Sequence, residues 1–200
     1  MGLNDEVGRR LKQLRQDGDL SLSELARRSG VGKGTLSELE TGRRNPTLET
    51  LYALTTVLGC PLSAVLDDPA PTGAASTGGV SGSAVTAVLL ERYEDEGAAT
   101  DVFRVTIAEG ATQESAAHVP RTTESLMVLS GTAVVGLPDT PQTAGPGGHA
   151  HWPADVPHSY SARDGEVHGI LFVRYPKDAE PRSADSRTAE PKAAEPKSAP

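Results

Sequence analysis

Two imidazoles and a carboxylate in the second half of the chain are the side chains best suited to bind a metal ion or a polar ligand. His118 precedes Glu124 by six residues, and His158 follows in a separate segment. Two histidines and one carboxylate suit Fe, Mn, Zn or Ni and leave coordination positions open for water or a ligand. The same groups can instead line a polar cavity that holds an organic ligand through hydrogen bonds. We expect no cofactor, and a divalent metal on His118, Glu124 and His158 is the alternative.

Four further residues could contribute to this site. His149 and His151 have the same parity, so on a strand they lie on one face and could replace a missing ligand. Trp152 and Tyr160 are candidate apolar walls of a pocket.

A second candidate site, in residues 22–41, has side chains that could recognise DNA. Apolar residues recur there with helical spacing, interrupted once at Gly30 and Gly32. The pattern predicts two short helices that share an apolar seam across a tight turn. The second helix, 33–40, turns polar side chains outward, and such a surface suits the major groove of DNA.

The candidate DNA contacts fall into two groups. The base-reading candidates are Lys33, Gly34, Thr35, Ser37, Glu38 and Thr41. The phosphate-contacting candidates are Ser21, Leu22, Ser23, Arg43 and Arg44. The two arginines follow the second helix directly, which is a suitable place for contacts with the DNA backbone.

Two different periodicities predict the elements that position these sites. Before residue 67, apolar stripes predict a helix at 4–16, another that carries Leu48, Leu51 and Leu54, and a last short helix after Pro61. From Ala84 the pattern changes to short β-branched runs, which predict an all-β sandwich or barrel. These runs are VTAVLLERY, DVFRVTIAEG, SLMVLSGTAVVG and VHGILFVRY.

The region 11–66 resembles the Cro/phage-repressor (XRE-type) helix-turn-helix domain. The similarity rests on the order of features in LSLSELARRSGVGKGTLSELETGRRNPTLETLYALTTVLGCPLSAVL. It implies a five-helix, lambda-repressor-like DNA-binding domain. One departure is that Gly32 and Gly34 flank Lys33, where the family has better helix formers. Each glycine costs about 1 kcal/mol of helix propensity relative to alanine, and Gly34 offers no side chain to a base.

Two segments of the β-rich region resemble the cupin family. The first cupin pattern is matched at His118, Glu124 and Gly131, although Pro120 replaces its second histidine. The second is matched around His158, with Asp155 where the family prefers glycine. The resemblance implies a small double-stranded β-helix barrel whose facing strands bring His118, Glu124 and His158 to one point.

Composition supports a division into four regions: a helix-turn-helix domain at 1–66, a flexible linker at 67–83, a cupin domain at 84–176 and a disordered tail at 177–200. The net charge is +1 over 1–66 and −7 over 84–176, so only the first domain is compatible with phosphate. A single cysteine, with no signal peptide and no apolar run long enough to span a membrane, predicts a cytoplasmic protein.

Taken together, the sequence predicts a sequence-specific DNA-binding regulator whose cupin domain senses a small molecule. The expected partners are double-stranded operator DNA, a small-molecule effector and a second copy of the chain in a homodimer. The alternative is a metal-dependent cupin enzyme, since a family of mononuclear-iron epoxidases also joins a helix-turn-helix to a cupin. The histidine–glutamate spacing of that family points to Pro120 here, which weakens the enzyme reading.

Overall fold

A computed structural model describes residues 3–66 and 79–177 of the chain. Its first part contains four α-helices: α1 (Leu3–Asp17), α2 (Leu22–Ser29), α3 (Lys33–Glu40) and α4 (Leu48–Leu58). The expected fifth helix is wrong. After Pro61 only Leu62–Ala64 takes helical geometry, as a 3₁₀ turn, before the chain bends at Leu66.

Local signals set the ends of α2. The Ser21 hydroxyl accepts a hydrogen bond from the backbone N–H of Glu24 at 3.1 Å, which caps the helix start. Gly30 ends the helix in the left-handed conformation, with φ of 71°, and a glycine adopts this conformation without a steric penalty. The turn between α2 and α3 therefore forms where the sequence predicts it.

The helical bundle buries one apolar face from each helix. The helix α3 packs against α1 and α2, and α2 also packs against α4. The buried side chains include Val7, Leu11, Leu25, Leu36, Leu39, Leu51 and Leu54. This packing fixes the inner face of α3 and leaves its opposite face toward solvent.

The second part is built from ten strands in two antiparallel sheets. The strands are β1 (Val80–Ser81), β2 (Val85–Glu94), β3 (Ala98–Ile107), β4 (Thr112–Ser115), β5 (Thr123–Ser130), β6 (Ala133–Leu137), β7 (Thr140–Ala144), β8 (His149–Pro153), β9 (His158–Ala162) and β10 (Val167–Pro176). The six-stranded sheet has the order β1-β2-β3-β10-β5-β8, and the four-stranded sheet has the order β4-β9-β6-β7. Alternating burial along β5 and β9 places every second side chain between the two sheets.

The expected closed barrel is not formed by the described strands. Between β7 and β8, the Gln142 side chain makes the hydrogen bonds that the backbone of a paired strand would otherwise make. Its amide nitrogen donates to the carbonyl of His151 at 2.6 Å, and its oxygen accepts from the N–H of His151 at 3.2 Å. The edge of β8 that faces away from β5 is thereby satisfied at this position by a side chain and not by a hydrogen-bonded strand.

The predicted linker and tail lie mostly outside the described residues, because 67–78 and 178–200 are not described. Within the described part of the linker region, Val80 pairs with Ala87. The six-stranded sheet therefore begins at Val80, ahead of the boundary predicted at Ala84. The longest described helix, α1, has 15 residues, and none of the described helices could cross a lipid bilayer.

The two parts contact each other directly. The backbone N–H of Ser83 donates to Oε1 of Glu49 on α4 at 2.7 Å. The backbone N–H of Ser63 donates to Oδ2 of Asp101 on β3 at 3.1 Å. Hydrogen bonds thus join α4 and the 3₁₀ turn to the β-rich part.

Candidate functional site

The outer face of α3 presents polar side chains above a buried apolar face. Leu36 and Leu39 lie in the bundle core. Among the base-reading candidates, the exposed residues are Lys33, Gly34, Glu38 and Thr41, and the half-buried residues are Thr35 and Ser37. Lys33 is the first residue of α3 and has no ion-pair partner in the described parts of the chain.

The end of α3 is linked by hydrogen bonds to the arginines that follow it. The Thr41 hydroxyl donates to the carbonyl of Ser37 at 2.8 Å and accepts from Nε of Arg43 at 3.0 Å. Nη1 of Arg44 lies 3.2 Å from Oε2 of Glu38, and both side chains are exposed. These contacts hold Arg43 and Arg44 beside the outer face of α3.

The remaining phosphate candidates lie at the start of α2. Ser21 and Ser23 are exposed, and Leu22 is half-buried. The start of α2 and the segment after α3 therefore both present exposed candidates to solvent.

A bidentate ion pair fixes α3 to α1. Nε of Arg15 lies 2.6 Å from Oε1 of Glu40, and Nη2 of Arg15 lies 2.9 Å from Oε2. Both side chains are largely buried. A two-point guanidinium–carboxylate contact restricts orientation as well as distance, so α3 is a rigid support for its outer side chains.

The structure brings His118, Glu124 and His158 together between the two sheets. Nε2 of His118 lies 3.0 Å from Oε1 of Glu124, and Nε2 of His158 lies 3.3 Å from Oε2. Glu124 belongs to β5 and His158 begins β9. His118 lies in the loop between β4 and β5, where its backbone N–H donates to the carbonyl of Ala154 at 2.9 Å. Candidate ligand atoms of the three residues lie within 4.8 Å of one another.

Aromatic side chains enclose this centre. The Tyr160 hydroxyl donates to Oε2 of Glu124. Trp152 packs edge-on against Tyr160, with ring centroids 5.8 Å apart, and both residues are buried. Trp152 and Tyr160 thus lie beside Glu124, and their role as walls of a ligand pocket stays a prediction.

The buried charges of the centre stabilise each other. Burial alone would raise the pKa of Glu124, but the charge of His158 and the hydrogen bond from His118 hold that pKa below its ordinary value. Burial opposes a charged His158, yet the Glu124 carboxylate raises the pKa of His158. The arrangement therefore favours an ionised Glu124 beside a protonated His158.

The donor set also fits a divalent transition metal. Nδ1 of His158 donates to the carbonyl of Val156 at 2.8 Å, which leaves Nε2 directed at Glu124. Nε2 of His158 and Nδ1 of His118 are buried and have no hydrogen-bond partner in 3–66 and 79–177. His118, Glu124 and His158 are the residues that would hold such an ion.

The structure places the substitute histidines elsewhere. His149 and His151 point outward from β8 and are exposed, so they do not join the centre. Pro120 lies in the turn before β5 rather than in a strand. Asp155, the other departure from the cupin pattern, accepts a hydrogen bond from the backbone N–H of Arg121 at 2.9 Å. Asp155 therefore braces the turn between His118 and β5.

One residue beside the centre was not predicted as part of it. Tyr52 of α4 stacks on His118, with ring centroids 4.0 Å apart and planes 19° from parallel. A sequence signal existed, because α4 carries only one charged residue, Glu49, in eleven positions. A helix with so few charges is apolar on more than one face, which indicates a second packing partner.

Comparison with known proteins relates most of the chain to bacterial regulators. The helix-turn-helix family model (HTH_3) matches residues 11–65. The chain is 30% identical over 168 residues to the HTH-type transcriptional regulator SutR of Escherichia coli K12, covering 84% of this chain and 93% of SutR. It is 38% identical over 63 residues to the HTH-type transcriptional regulator SinR of Bacillus subtilis, covering 31% of this chain and 57% of SinR.

A solved structure shares the fold. The crystal structure of an HTH_3 family transcriptional regulator from Vibrio cholerae superposes with a TM-score of 0.72 over 88% of this chain and 98% of that chain, at 24% identity. The match to SutR spans both the helical and the β-rich parts, which confirms the family predicted from the sequence. The chain therefore belongs to the XRE-type helix-turn-helix transcriptional regulators, with a β-rich region after the helix-turn-helix domain.

Proposed function

We propose that this regulator recognises its operator by inserting α3 into the major groove of double-stranded DNA. The observation that carries the proposal is the polar outer face of α3, held above the buried Leu36 and Leu39. An α-helix fits the major groove, and its N-terminal residues contact base edges in this class of domain. Lys33 stands at that end of α3 and can donate to guanine.

The other candidate residues divide between bases and backbone in this proposal. The residues that lie beside the bases along α3 are Gly34, Thr35, Ser37, Glu38 and Thr41. The start of α2, with Ser21, Leu22 and Ser23, contacts phosphates on one side. Arg43 and Arg44 contact phosphates on the other side, where exposed guanidinium groups supply the charge.

The active form in this proposal is a cytoplasmic homodimer. Domains of this class bind paired half-sites about one helical turn apart, so two copies of α3 must be held at a fixed spacing. A small change in that spacing alters affinity. An effector that prefers one arrangement of the dimer would therefore regulate binding.

The centre formed by His118, Glu124 and His158 is the proposed effector site. It offers charged hydrogen-bonding groups and two buried nitrogens that have no hydrogen-bond partner among the described residues, inside an aromatic enclosure, and these features suit a small polar molecule or a divalent ion. Because these side chains are nearly inaccessible to solvent, occupancy requires a local rearrangement of the surrounding groups.

The test of DNA recognition is selection of binding sites from random duplexes with the full chain. The proposal expects a selected sequence with two related half-sites, bound more tightly than shuffled duplexes across a range of salt concentrations. Recovery of no common sequence would overturn it.

The test of sensing is a thermal-shift screen of metabolites and divalent ions on the same chain, with Glu124→Gln as the matched variant. The proposal expects a compound that raises the melting temperature of the wild type and leaves that of the variant unchanged. A compound that stabilises both equally would place its binding site elsewhere.

The enzyme alternative rests on the same donor set, because two histidines and a carboxylate can hold iron with open positions. It predicts stoichiometric iron after purification and turnover that is lost in Glu124→Gln. The similarity to SutR over 84% of this chain and 93% of SutR favours regulation.

A further inference from the structure

The boundary between the two parts of the molecule passes through the candidate effector site. Tyr52 belongs to α4 of the DNA-binding domain, yet its ring lies flat on His118, 4.0 Å away. His118 in turn meets His158 edge-on, with centroids 4.9 Å apart. The helical domain therefore supplies one wall of the centre, and both stacked rings are buried.

Contacts fix the backbone and one ring nitrogen of His118, but not its second ring nitrogen. Its backbone is fixed by the bond to Ala154, and its Nε2 faces Glu124. Its Nδ1 has no hydrogen-bond partner in the described parts of the chain. A group that competes for Glu124 or binds His118 can therefore shift the imidazole, and one face of that imidazole stacks on Tyr52.

The helix that carries Tyr52 is attached to the β-rich part on both sides of the ring. Glu49 accepts from the N–H of Ser83 at 2.7 Å, and the Thr56 hydroxyl donates to the carbonyl of Ala117 at 3.4 Å. With contacts before and after Tyr52, a shift at the ring acts on α4 as a body rather than on one side chain.

From α4 the contact path to the reading helix is short. Leu51 and Leu54 of α4 are buried in the bundle core. The helix α4 packs against α2, and α2 packs against α3. Close-packed interiors transmit displacements because they contain few voids to absorb them.

We propose that Tyr52 couples the state of the His118–Glu124–His158 centre to the DNA-reading helix α3. This inference rests on the proposed function, since it assigns the route by which occupancy of the site alters DNA binding. Stacking on His118 makes Tyr52 a positioning residue: it contacts the centre and moves the helices. A ligand that displaces His118 then changes the position of α4 relative to the β-rich part.

The test is a double-mutant cycle on the full chain, with affinity for the selected duplex as the readout. Glu124→Gln alters the centre without any ligand, and Tyr52→Leu removes the stack. Glu124→Gln is expected to change affinity by about fivefold or more in the Tyr52 background and by less than about twofold in the Tyr52→Leu background. An equal change in both backgrounds, or no change in either, would overturn the inference.

Two controls separate coupling from loss of structure. Tyr52→Phe keeps the stacked ring and should preserve the response to Glu124→Gln. Thr50→Ala removes a side-chain contact with Thr47 that stays within the helical domain and does not reach the β-rich part, and it should also preserve the response. If Glu124→Gln fails to fold by circular dichroism, His158→Gln replaces it in the same cycle.

A readout without DNA separates this inference from the proposed function. Hydrogen–deuterium exchange in α3 and α4 should change on Glu124→Gln in the Tyr52 background and not in the Tyr52→Leu background. If the wild type selects no duplex, the proposed function fails and the exchange data still decide the coupling. If the wild type binds DNA and the exchange changes are equal in both backgrounds, the coupling alone fails.

Discussion

The backbone N–H of Ser63 donates to Oδ2 of Asp101 over 3.1 Å, which anchors the last turn of the helical domain to β3. Asp101 is fully buried, and its Oδ1 has no hydrogen-bond partner among the described residues. Burial raises the pKa of Asp101, and the hydrogen bonds from Ser63 and the charge of Arg92 oppose this only in part. An ionised Asp101 therefore lowers the stability of the folded chain.

Replacing Asp101 with asparagine should stabilise the chain increasingly as pH rises. The folded-state pKa lies above the unfolded value of about 3.9, so wild-type stability is lost as pH rises through the folded pKa. Urea unfolding should show little benefit of Asp101→Asn near about pH 4 and a benefit on the order of 1–3 kcal/mol near about pH 7.

A matched control for this pH dependence is Asp95→Asn. Hydrogen bonds from the N–H groups of Gly97 and Ala98 lower the pKa of Asp95, so its ionised form stabilises the fold. The free energy of unfolding of Asp95→Asn should therefore fall relative to that of the wild type as pH rises. A pH-independent effect of Asp101→Asn, or a loss of stability near pH 7, would contradict the assigned cost of the buried charge.

Gly34 and Gly30 should respond in opposite directions to alanine. A Cβ at either position meets no atom within 4 Å, but Gly30 has φ of 71° and Gly34 lies in helical conformation within α3. Gly34→Ala should raise the free energy of unfolding by about 1 kcal/mol, and Gly30→Ala should lower it by a similar amount. Thermal unfolding checks both, and a loss of stability in Gly34→Ala would show that α3 needs glycine for another reason.

The helical domain was predictable because its signals are local. The cap at Ser21, the break at Gly30 and the apolar seam of Leu25 and Leu36 are each read within a few residues. The end of the domain was less predictable, because Leu62, Val65 and Leu66 have helix-like apolar spacing but only Leu62–Ala64 takes helical geometry, as a 3₁₀ turn. The apolar pattern is the same for a short α-helix and a 3₁₀ turn, so only the length of the helical segment distinguishes the two.

The β-rich part was predictable only where its strands are long and β-branched. The runs around β2, β3, β5, β6 and β10 were identified, whereas the short polar strands β4, β7 and β9 carry little apolar alternation. The meeting of His118, Glu124 and His158 followed from motif resemblance. Contacts between the domains, such as Tyr52 on His118 and Ser63 on Asp101, have no local signature because they depend on how the two parts dock.

Tyr160→Phe should destabilise the β-rich part by about 1.5–3 kcal/mol. The substitution keeps the ring beside Trp152 but removes the hydroxyl that donates to Oε2 of Glu124, a buried and charged acceptor. Urea unfolding measures the loss, with Tyr93→Phe as the control because Tyr93 is 46% exposed. Equal effects of the two substitutions would mean that the Tyr160 hydroxyl contributes nothing to the centre.

Arg43→Ala and Arg44→Ala should weaken binding to all duplexes to a similar degree. If each arginine contacts one phosphate, each substitution should reduce the slope of log affinity against log salt by about 1. Arg163→Ala, an exposed arginine of the β-rich part, provides the control and should leave the slope unchanged. Unaltered slopes for both Arg43→Ala and Arg44→Ala would remove them from the interface.

The most direct test of the account is the affinity of Lys33→Ala for the selected operator, measured against a shuffled duplex of the same length. Lys33 is exposed at the start of α3, where we propose a base contact worth about 1–3 kcal/mol. We expect a loss of about 5- to 150-fold for the operator, with little loss for the shuffled duplex and little effect of Lys12→Ala on α1. Operator affinity that is unchanged in Lys33→Ala would show that α3 is not the reading helix.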